Sequence, residues 1–190
     1  MWAIVPVKDF EDAKGRLSEV LKPDQRRDLA RFMLQDVLSI LLQVNDLSGV
    51  AIITRDIEAK KVGLELGARI LSEEINSGQT NAVLAATLML KSEGVAGILA
   101  MPGDIPLVSK EDIAVLLTSH NAAPAMTIVP AHDFQGSNCV LCSPPDCVRL
   151  RFGDNSYYPH LEAAREAGIE PLSITLPNVG LDIDKPCDLA

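Results

Sequence analysis

The chain has 190 residues, of which 47% are apolar and only 4% aromatic, and its net charge is -9. This length corresponds to one domain of ordinary size, whose core must be built from aliphatic side chains. The negative charge and the lack of any Lys/Arg-rich run argue against a nucleic-acid partner, although a small anionic ligand needs only a few cations in one cleft. No apolar stretch approaches the roughly 20 residues of a membrane span, so we expect a soluble, cytoplasmic protein with no membrane partner.

Strand-like and helical patterns alternate over the first two thirds of the chain. Short apolar runs predict strands, and apolar residues at steps of three and four predict the helices between them. The predicted strands are residues 2–7, 50–54, 68–71 and 97–101, and the predicted helices are residues 24–44, 57–66, 80–91 and 110–119. Ser109 and Asp112 form the S-x-x-D pattern of a capping box, which opens the last of these helices. Such βα repetition implies a mostly parallel sheet with right-handed crossovers.

After Pro124 the pattern changes, because two predicted strands follow one another with only a loop between them. The predicted elements are strands at 125–130, 138–142 and 149–152, a helix at 156–167, and extended segments at 171–176 and 180–184. We therefore expect one α/β domain over residues 1–190, with a mixed, mostly parallel sheet flanked by helices. The second half of the chain is expected to add antiparallel strands to that sheet.

Three cations, Lys8, Lys14 and Arg16, follow the first predicted strand. Ligands of open α/β sheets lie outside the carboxyl ends of the parallel strands, and three cations at that place can hold a triphosphate. Taken alone, the segment is better described as a solvated loop with charges of both signs.

Carboxylates follow two other predicted strands. Asp104 comes after the strand at 97–101 and is flanked by two prolines that stiffen the backbone. Asp182 and Asp184 are two residues apart on the predicted strand 180–184, so their carboxylates share one face. Like charges on one face repel unless a cation joins them, and Mg²⁺ prefers carboxylates together with substrate phosphates. The pattern favours a magnesium site, with a capping or loop acid and an exposed edge strand as the alternatives.

Two turns have the composition of anion-binding sites. Gly153 and Ser156 precede the predicted helix 156–167, where backbone N–H groups and the positive end of the helix meet. Ser137 lies in a second turn, residues 135–138, that carries hydroxyl and amide groups. Each can be an ordinary turn, but together they can bracket a phosphorylated acid.

Several other functions lack their motifs. The sequence has no P-loop motif, no dinucleotide-binding G-x-G-x-x-G after the first strand and no G-x-S-x-G hydrolase elbow. Cys139 and Cys142 have C-x-x-C spacing, but on a strand they point to opposite faces, so we expect free thiols rather than metal ligands. The histidines His120, His132 and His160 are too scattered for a zinc site, and His160 is expected to be a surface or packing residue.

At the level of motifs, the chain resembles the 2-phospho-L-lactate/phosphoenolpyruvate guanylyltransferases of coenzyme F-420 biosynthesis. The matching stretches cover nearly the whole chain in the order of the family. They are PVKDFEDAKGRLS at 6–18, RRDLARFMLQDVL at 26–38, MPGDIPLVSKEDI at 101–113, GSNCVLCSPPD at 136–146, FGDNSYYPHLEAAREAG at 152–168 and GLDIDKPCDL at 180–189. Two departures are Gly103, where the family usually has Ala, and Ser137-Asn138, where it commonly has Thr-Asn.

The resemblance implies a glycosyltransferase-A-like, nucleotide-diphospho-sugar transferase-like fold, Mg²⁺ as cofactor, and GTP as the nucleotide. GMP would be joined to the phosphate of phosphoenolpyruvate, 2-phospho-L-lactate or 3-phosphoglycerate, pyrophosphate would be released, and the product would pass to the next biosynthetic enzyme. A homodimer is compatible with this picture. The expected catalytic groups are Lys8, Lys14 and Asp104, and the nucleotide is expected to bind to these three residues together with Arg16 and Asn76. The acid is expected to bind to Ser137, Gly153 and Ser156. The metal is expected to bind to Asp104, Asp182 and Asp184.

Two other functions fit the sequence less well. A molybdopterin or sugar-phosphate nucleotidyltransferase usually has a Gly-rich loop after the first strand, but here no glycine occurs before Gly15. A non-catalytic nucleotide-binding domain would not need the three acids Asp104, Asp182 and Asp184.

Overall fold

The computed structural model describes residues 1–72, 78–153 and 155–189. The strands are β1 Trp2–Pro6, β2 Gly49–Thr54, β3 Arg69–Ser72, β4 Ile98–Ala100, β5 Ala125–Pro130, β6 Ser137–Ser143 and β7 Leu172–Ser173. The helices are α1 Pro23–Leu41, α2 Ile57–Leu66, α3 Gln79–Ser92, α4 Lys110–Ser119, α5 Tyr157–Glu166 and α6 Pro177–Gly180, with short 3-10 helices at Phe10–Asp12, Gly15–Leu17 and Pro186–Leu189.

These strands form a seven-stranded sheet in the order β3-β2-β1-β4-β6-β5-β7. The pairs β1–β2, β1–β4, β2–β3 and β5–β7 are parallel, whereas β6 runs antiparallel to both β4 and β5. The predicted mixed, mostly parallel sheet is therefore confirmed, with β6 as the antiparallel strand. The chain builds outward from β1 to β3 and then returns to place β4 on the other side of β1.

Helices cover both faces of the sheet. One apolar cluster joins α1, α2 and α4 to residues such as Val5 and Ile52, and a second joins α3 and α5 to residues such as Ile4 and Ile53. This alternation along β1 and β2 is what a strand buried on both faces requires. Among the described residues no helix is long and apolar enough to cross a membrane.

Local sequence signals explain several element boundaries. The Ser109 hydroxyl accepts a hydrogen bond from the Asp112 N–H at 3.1 Å, and the Asp112 carboxylate accepts one from the Ser109 N–H at 3.0 Å, so the predicted capping box is confirmed. Asp56 caps α2 by accepting from the Ala59 N–H at 2.7 Å. Gly63 is needed inside α2 because a Cβ there would lie 2.6 Å from Ile52 Cδ1, so the glycine lets the helix approach the sheet.

Two predicted strands are wrong. Residues 149–152 form no strand, because their backbone groups bond to side chains instead: the Arg151 N–H donates to His160 Nε2 at 2.8 Å, and the Phe152 N–H donates to Thr80 Oγ1 at 2.9 Å. The segment 180–184 is not a strand either, since α6 ends at Gly180 and residues 181–184 pair with no strand. One hydrogen bond, from the Ile183 N–H to the Asp104 carbonyl at 3.1 Å, holds this segment beside the loop that follows β4.

The C-x-x-C spacing does not form a metal site. Cys139 and Cys142 are both buried on β6, but Cys139 belongs to the core cluster on one face of the sheet and Cys142 to the cluster on the other. All four cysteines are free, so the prediction of free thiols is confirmed.

Candidate functional site

A cleft of about 640 Å³ lies at the carboxyl edge of β1 and β4. It is lined by the loops that follow both strands, by the turn between β5 and β6, by the start of α5 and by the segment 182–188. Since β2 lies on one side of β1 and β4 on the other, the connections diverge at this point of the sheet, and such switch points are where open α/β sheets bind ligands. The predicted site residues Lys8, Lys14 and Asp104 lie on this cleft.

Lys14 is the centre of the charged end of the cleft. Its Nζ lies 2.5 Å from Asp104 Oδ2 and 3.0 Å from Asp184 Oδ1, and its side chain is only 6% exposed. Burial alone would lower the pKa of Lys14, but the charges and hydrogen bonds of Asp104 and Asp184 outweigh it, so the pKa is raised and the ammonium stays charged. Lys14 also has a left-handed backbone, with φ 55° and ψ 37°, which lysine rarely adopts and which is typical of strained functional sites.

Asp104 lies in the loop after β4. Its Oδ2 accepts from Lys14, whereas its Oδ1 is buried without a hydrogen-bond partner. A buried carboxylate oxygen without a partner is costly unless a ligand or ion completes it. Gly103, the departure from the family pattern, lies against α1: a Cβ there would be 3.0 Å from Leu34 Cδ1, so the Leu34 side chain occupies the space that an Ala would need.

Asp182 and Asp184 reach the cleft from the segment 181–184, although that segment is not a strand. Ile183, between them, points the other way and packs on Leu17 and Met33. Burial raises the pKa of Asp182, and the nearby charges of Asp104 and Asp184 raise it further against the hydrogen bond that Asn138 donates. The predicted alternation of side chains therefore holds, while the predicted hydrogen-bonded strand does not.

Two residues that the sequence interpretation did not assign hold this acidic segment. Asn138 Nδ2 donates to Asp182 Oδ1 at 3.1 Å and to the Val179 carbonyl at 3.0 Å. The Asp188 carboxylate accepts from the backbone N–H groups of Asp184 at 2.9 Å and of Lys185 at 2.6 Å. Burial would raise the pKa of Asp188, but these backbone donors outweigh it and keep the pKa low. In the sequence, the Ser-Asn pair at 137–138 could have indicated the role of Asn138, and the carboxylate four residues after Asp184 could have indicated that of Asp188.

The donor set fits the predicted magnesium ion in its chemistry. Asp104, Asp182 and Asp184 line the cleft, and Asp104 Oδ1 lacks a partner. In the described part of the chain, however, no three His, Cys, Asp or Glu side chains are already grouped closely enough to hold a metal, because the Lys14 ammonium lies between Asp104 and Asp184. The three-acid magnesium site therefore stays a prediction.

The opposite end of the cleft is built from hydroxyl groups. The β5–β6 register shifts at Val129/Pro130, beside Ser137. The Ser137 side chain bonds to His160 of α5, whereas the Asn138 side chain bonds to Val179 and Asp182 on the other side of the sheet. The Ser137 N–H donates to Ser156 Oγ at 3.1 Å, which joins the two predicted anion-binding turns directly. Gly153 has φ 132°, a conformation that L side chains rarely adopt, and a Cβ there would meet no atom within 4 Å. Glycine is thus required by the backbone conformation and leaves the space beside it open.

The remaining predicted residues differ in how well they are placed. Lys8 is exposed and lines the cleft. Arg16 also lines it, with its guanidinium 3.2 Å from Asp184 Oδ2. Asn76, which was expected to bind the nucleotide, lies outside the described residues, but the nearby Gly78 and Gln79 at the start of α3 line the cleft.

His160 was expected to be a surface or packing residue, and of these two it is a packing residue, with its ring edge-on against Phe152. It is fully buried beneath the hydroxyl end of the cleft and bonds through both ring nitrogens, to Ser137 Oγ at 2.9 Å and to the Arg151 N–H at 2.8 Å. Its position on α5, four residues after Ser156, was the signal, because residues i and i+4 lie on one face of a helix.

Solved structures share this fold over nearly the whole chain. A protein from Desulfovibrio desulfuricans G20 described as a nucleotide-diphospho-sugar transferase matches with a TM-score of 0.77 at 22% identity, covering 99% of this chain and 84% of that one. A nucleotidyl transferase from Methanothermobacter thermautotrophicus matches with a TM-score of 0.74 at 15% identity, covering 99% and 93%. These identities support a likeness of fold, and the fold is that of the nucleotidyltransferases, as the resemblance implied.

Sequence relatives are more specific. Over residues 1–190 the chain matches the family described as guanylyl transferase CofC like, and it belongs to that family. It is 35% identical to the phosphoenolpyruvate guanylyltransferase of Conexibacter woesei, over 99% of this chain and 85% of that protein. It is 33% identical to the 2-phospho-L-lactate guanylyltransferase of Methanothermobacter thermautotrophicus, over 98% and 81%. The family and the nucleotidyltransferase activity predicted from the motifs are confirmed.

Proposed function

We propose that this enzyme transfers GMP from GTP to the phosphate of a small phosphorylated carboxylic acid, releases pyrophosphate, and so supplies an intermediate of coenzyme F-420 biosynthesis to the next enzyme. The observation that carries the proposal is the division of one cleft into two ends. Lys8, Lys14 and Arg16 lie at one end, whereas Ser137 and Ser156 are bonded to each other at the other. Such a cleft suits two phosphate-bearing substrates that meet between the ends.

The reaction needs no general base. A phosphate oxygen of the acid attacks the α-phosphorus of GTP, a new P–O bond forms, and the bond from the α-phosphorus to pyrophosphate breaks. The attacking dianion is already a competent nucleophile, so catalysis is positioning together with charge neutralisation. This agrees with a cleft that contains acids, cations and hydroxyl groups.

The cations and acids have distinct parts in this proposal. Lys14 and Lys8 neutralise the triphosphate, and Arg16 lies close enough to Asp184 to shift between carboxylate and phosphate. Asp104, Asp182 and Asp184 would hold the magnesium ion. When bound there, Mg²⁺ would supply positive charge that offsets the charge developing on the leaving pyrophosphate.

Ser137, Ser156 and the backbone at Gly153 would bind the phosphate of the acid. Phosphoenolpyruvate is the first candidate, because the relative at 35% identity carries that name. The relative that carries the name 2-phospho-L-lactate is almost equally similar, so both acids and 3-phosphoglycerate belong in one experiment.

Mass spectrometry of reactions that contain the enzyme, GTP, Mg²⁺ and one acid at a time tests the proposal. We expect a GMP–acid conjugate and an equal amount of pyrophosphate with one preferred acid. Reactions with ATP in place of GTP, and reactions without an acid, are the controls. If none of the three acids gives a conjugate, the proposed reaction is wrong.

A further inference from the structure

His160 belongs to a buried network of hydrogen bonds with Ser137 and Ser156, and the chemistry described above gives it no role. His160 is 0% exposed, and its ring packs edge-on against Phe152, with centroids 5.1 Å apart. Its Nδ1 lies 2.9 Å from Ser137 Oγ, and its Nε2 lies 2.8 Å from the Arg151 nitrogen. Ser137 and Ser156 are themselves only 6% and 5% exposed. Such a satisfied network in a buried place fixes the orientation of each member.

The backbone determines which ring nitrogen carries the proton. The Arg151 N–H can only donate, so His160 Nε2 must be the acceptor and carries no hydrogen. The single proton of the neutral imidazole is then on Nδ1, which donates to Ser137 Oγ. In a protonated imidazole Nε2 would also carry a hydrogen, and this N–H would face the Arg151 N–H, donor against donor. The network therefore requires the neutral ring. Burial keeps the ring neutral at pH 7, because it lowers the pKa of His160 to about 4.

With this tautomer, the Ser137 hydroxyl can act towards a ligand only as a hydrogen-bond donor. Its oxygen accepts from His160 Nδ1–H and, at 3.3 Å, from the Ser156 hydroxyl, so both of its lone pairs are used. The Ser137 hydroxyl hydrogen is then left to point into the cleft. A group that meets this hydrogen must be an acceptor, and phosphate oxygens are acceptors at neutral pH.

We propose that His160 is a positioning residue that fixes the Ser137 hydroxyl as a hydrogen-bond donor to the phosphate of the acid substrate. The identity of that substrate rests on the proposed function, whereas the orientation of the hydroxyl does not. His160 touches no reacting atom. It acts through Ser137, and it favours a ligand that offers only acceptors at this place.

Two substitutions separate the two ring nitrogens. In His160→Asn the side-chain amide can replace Nδ1–H as the donor to Ser137 but cannot reach Arg151. In His160→Gln the longer side chain can replace Nε2 as the acceptor for Arg151, but the donor to Ser137 is lost. We expect His160→Gln to raise the KM for the acid about 10-fold or more and His160→Asn to keep it within about threefold, with the KM for GTP unchanged in both. Equal increases in the two variants would overturn the proposal.

His120 supplies the matched control. It is also bonded to two hydroxyl groups, Thr127 Oγ1 at 2.8 Å and Ser143 Oγ at 2.7 Å, but these lie at the far end of β5 and β6 from the cleft. His120→Gln should therefore leave both KM values unchanged. A rise in the KM for the acid in this variant as well would mean that the effect of His160→Gln is a general loss of packing.

A measurement on the unaltered protein is independent of folding of the variants and of the substrate. Long-range ¹H–¹⁵N NMR at pH 7 distinguishes the two imidazole tautomers, and we expect the Nδ1–H form for His160. A dominant Nε2–H form or a charged ring would overturn the proposal. If the tautomer is as expected but none of the acids reacts, the proposed function fails and the orientation of Ser137 by His160 stands.

Discussion

At the scale of single residues, the charged end of the cleft depends on a lysine in an unusual backbone conformation. Lys14 has φ 55°, and its ammonium bridges Asp104 and Asp184, which lie 90 and 170 residues away in the chain. A non-glycine residue in this region costs of order 1–3 kcal/mol, which the two ion pairs help to offset. The conformation brings a cation and two carboxylates together, and the proposed transfer of GMP between two anionic substrates requires such charges.

The first prediction concerns the acids. Asp104→Asn and Asp182→Asn each keep the shape of the side chain but remove a negative ligand, so we expect kcat to fall by about 100-fold or more in each, with the fold retained. Asp104→Asn should be the more damaging, because the proline-flanked loop leaves no other carboxylate to replace it. Steady-state pyrophosphate release measures the effect, and Asp46→Asn, an exposed acid in the loop before β2, is the control. Activity within about threefold of the unaltered enzyme in both cleft variants would rule out the three-acid magnesium site.

The second prediction concerns the acid end. Ser156→Ala leaves the Ser137 N–H without its acceptor, and we expect the KM for the acid to rise about 10-fold or more. Gly153→Val should be worse, because φ 132° is strained for a side chain and the added atoms project into open space. Gly168→Val is the matched control, since Gly168 also has a positive φ and open space around it, but at the far end of α5. It should lower stability without changing the KM. An unchanged KM in both cleft variants would place the acid elsewhere.

At the scale of elements, the end of β6 and the start of α5 act as one unit. The β5–β6 register shifts beside Ser137, whose side chain bonds to His160 of α5, and the Tyr157 N–H donates to the Gln135 carbonyl at 3.0 Å. On the other side of the sheet, Asn138 holds the segment 181–184 beside the loop after β4. One turn therefore positions both the hydroxyl end and the acidic part of the cleft.

The third prediction follows from the buried ring on α5. The pKa of His160 is about 4 in the folded protein, below the value of about 6.5 expected when unfolded, so between these values the unfolded chain binds more protons. The free energy of unfolding should therefore rise with pH across this window. His160 alone should make the protein about 2 kcal/mol less stable at pH 5 than at pH 7.

Urea unfolding at both pH values, on the unaltered protein and on His160→Asn, measures this contribution. The difference between pH 5 and pH 7 should shrink in the variant, because the titrating group is gone. An equally large difference in both proteins would mean that other groups cause it.

At the scale of the whole molecule, the site lies where the order of strands reverses. β1 is followed by β2 and β3 on one side and has β4 on the other, so the loops after β1 and β4 open towards each other. The net charge of -9 is compatible with anionic substrates because Lys8, Lys14 and Arg16 are concentrated at this one cleft.

The fourth prediction concerns the choice of nucleotide. A ligand that binds only the folded state stabilises it by about 2.7 kcal/mol at 100 times its Kd, which for a chain of this size raises Tm by about 5–10 °C. We expect GTP with Mg²⁺ to produce such a shift and ATP to produce a much smaller one, and calorimetric titration should give the same order of affinity. An equal or larger effect of ATP would remove guanine from the proposed reaction.

The sequence by itself determined the fold class and most of the elements. The bounds of α2, α4 and β5 are those predicted, and the other predicted helices differ by a few residues at their ends. These elements are specified by short-range signals, namely hydrophobic period, capping residues and glycine or proline breaks, which act within a few residues of the chain. The motifs also identified the family, because GDIPL, FG-x-x-S and GLDID-x-P occur together in one order.

Only the tertiary structure decided which of these residues meet. Asp182 and Asp184 were expected to act from a strand, but β6 occupies the place beside β4, so their segment packs against the loop after β4 by one hydrogen bond. His160 and Asn138 became parts of the site through a register shift and a helix start that bring distant residues together. Contacts of this kind depend on strand order and register, which are set by the packing of the whole sheet and leave no periodic signal in the local sequence.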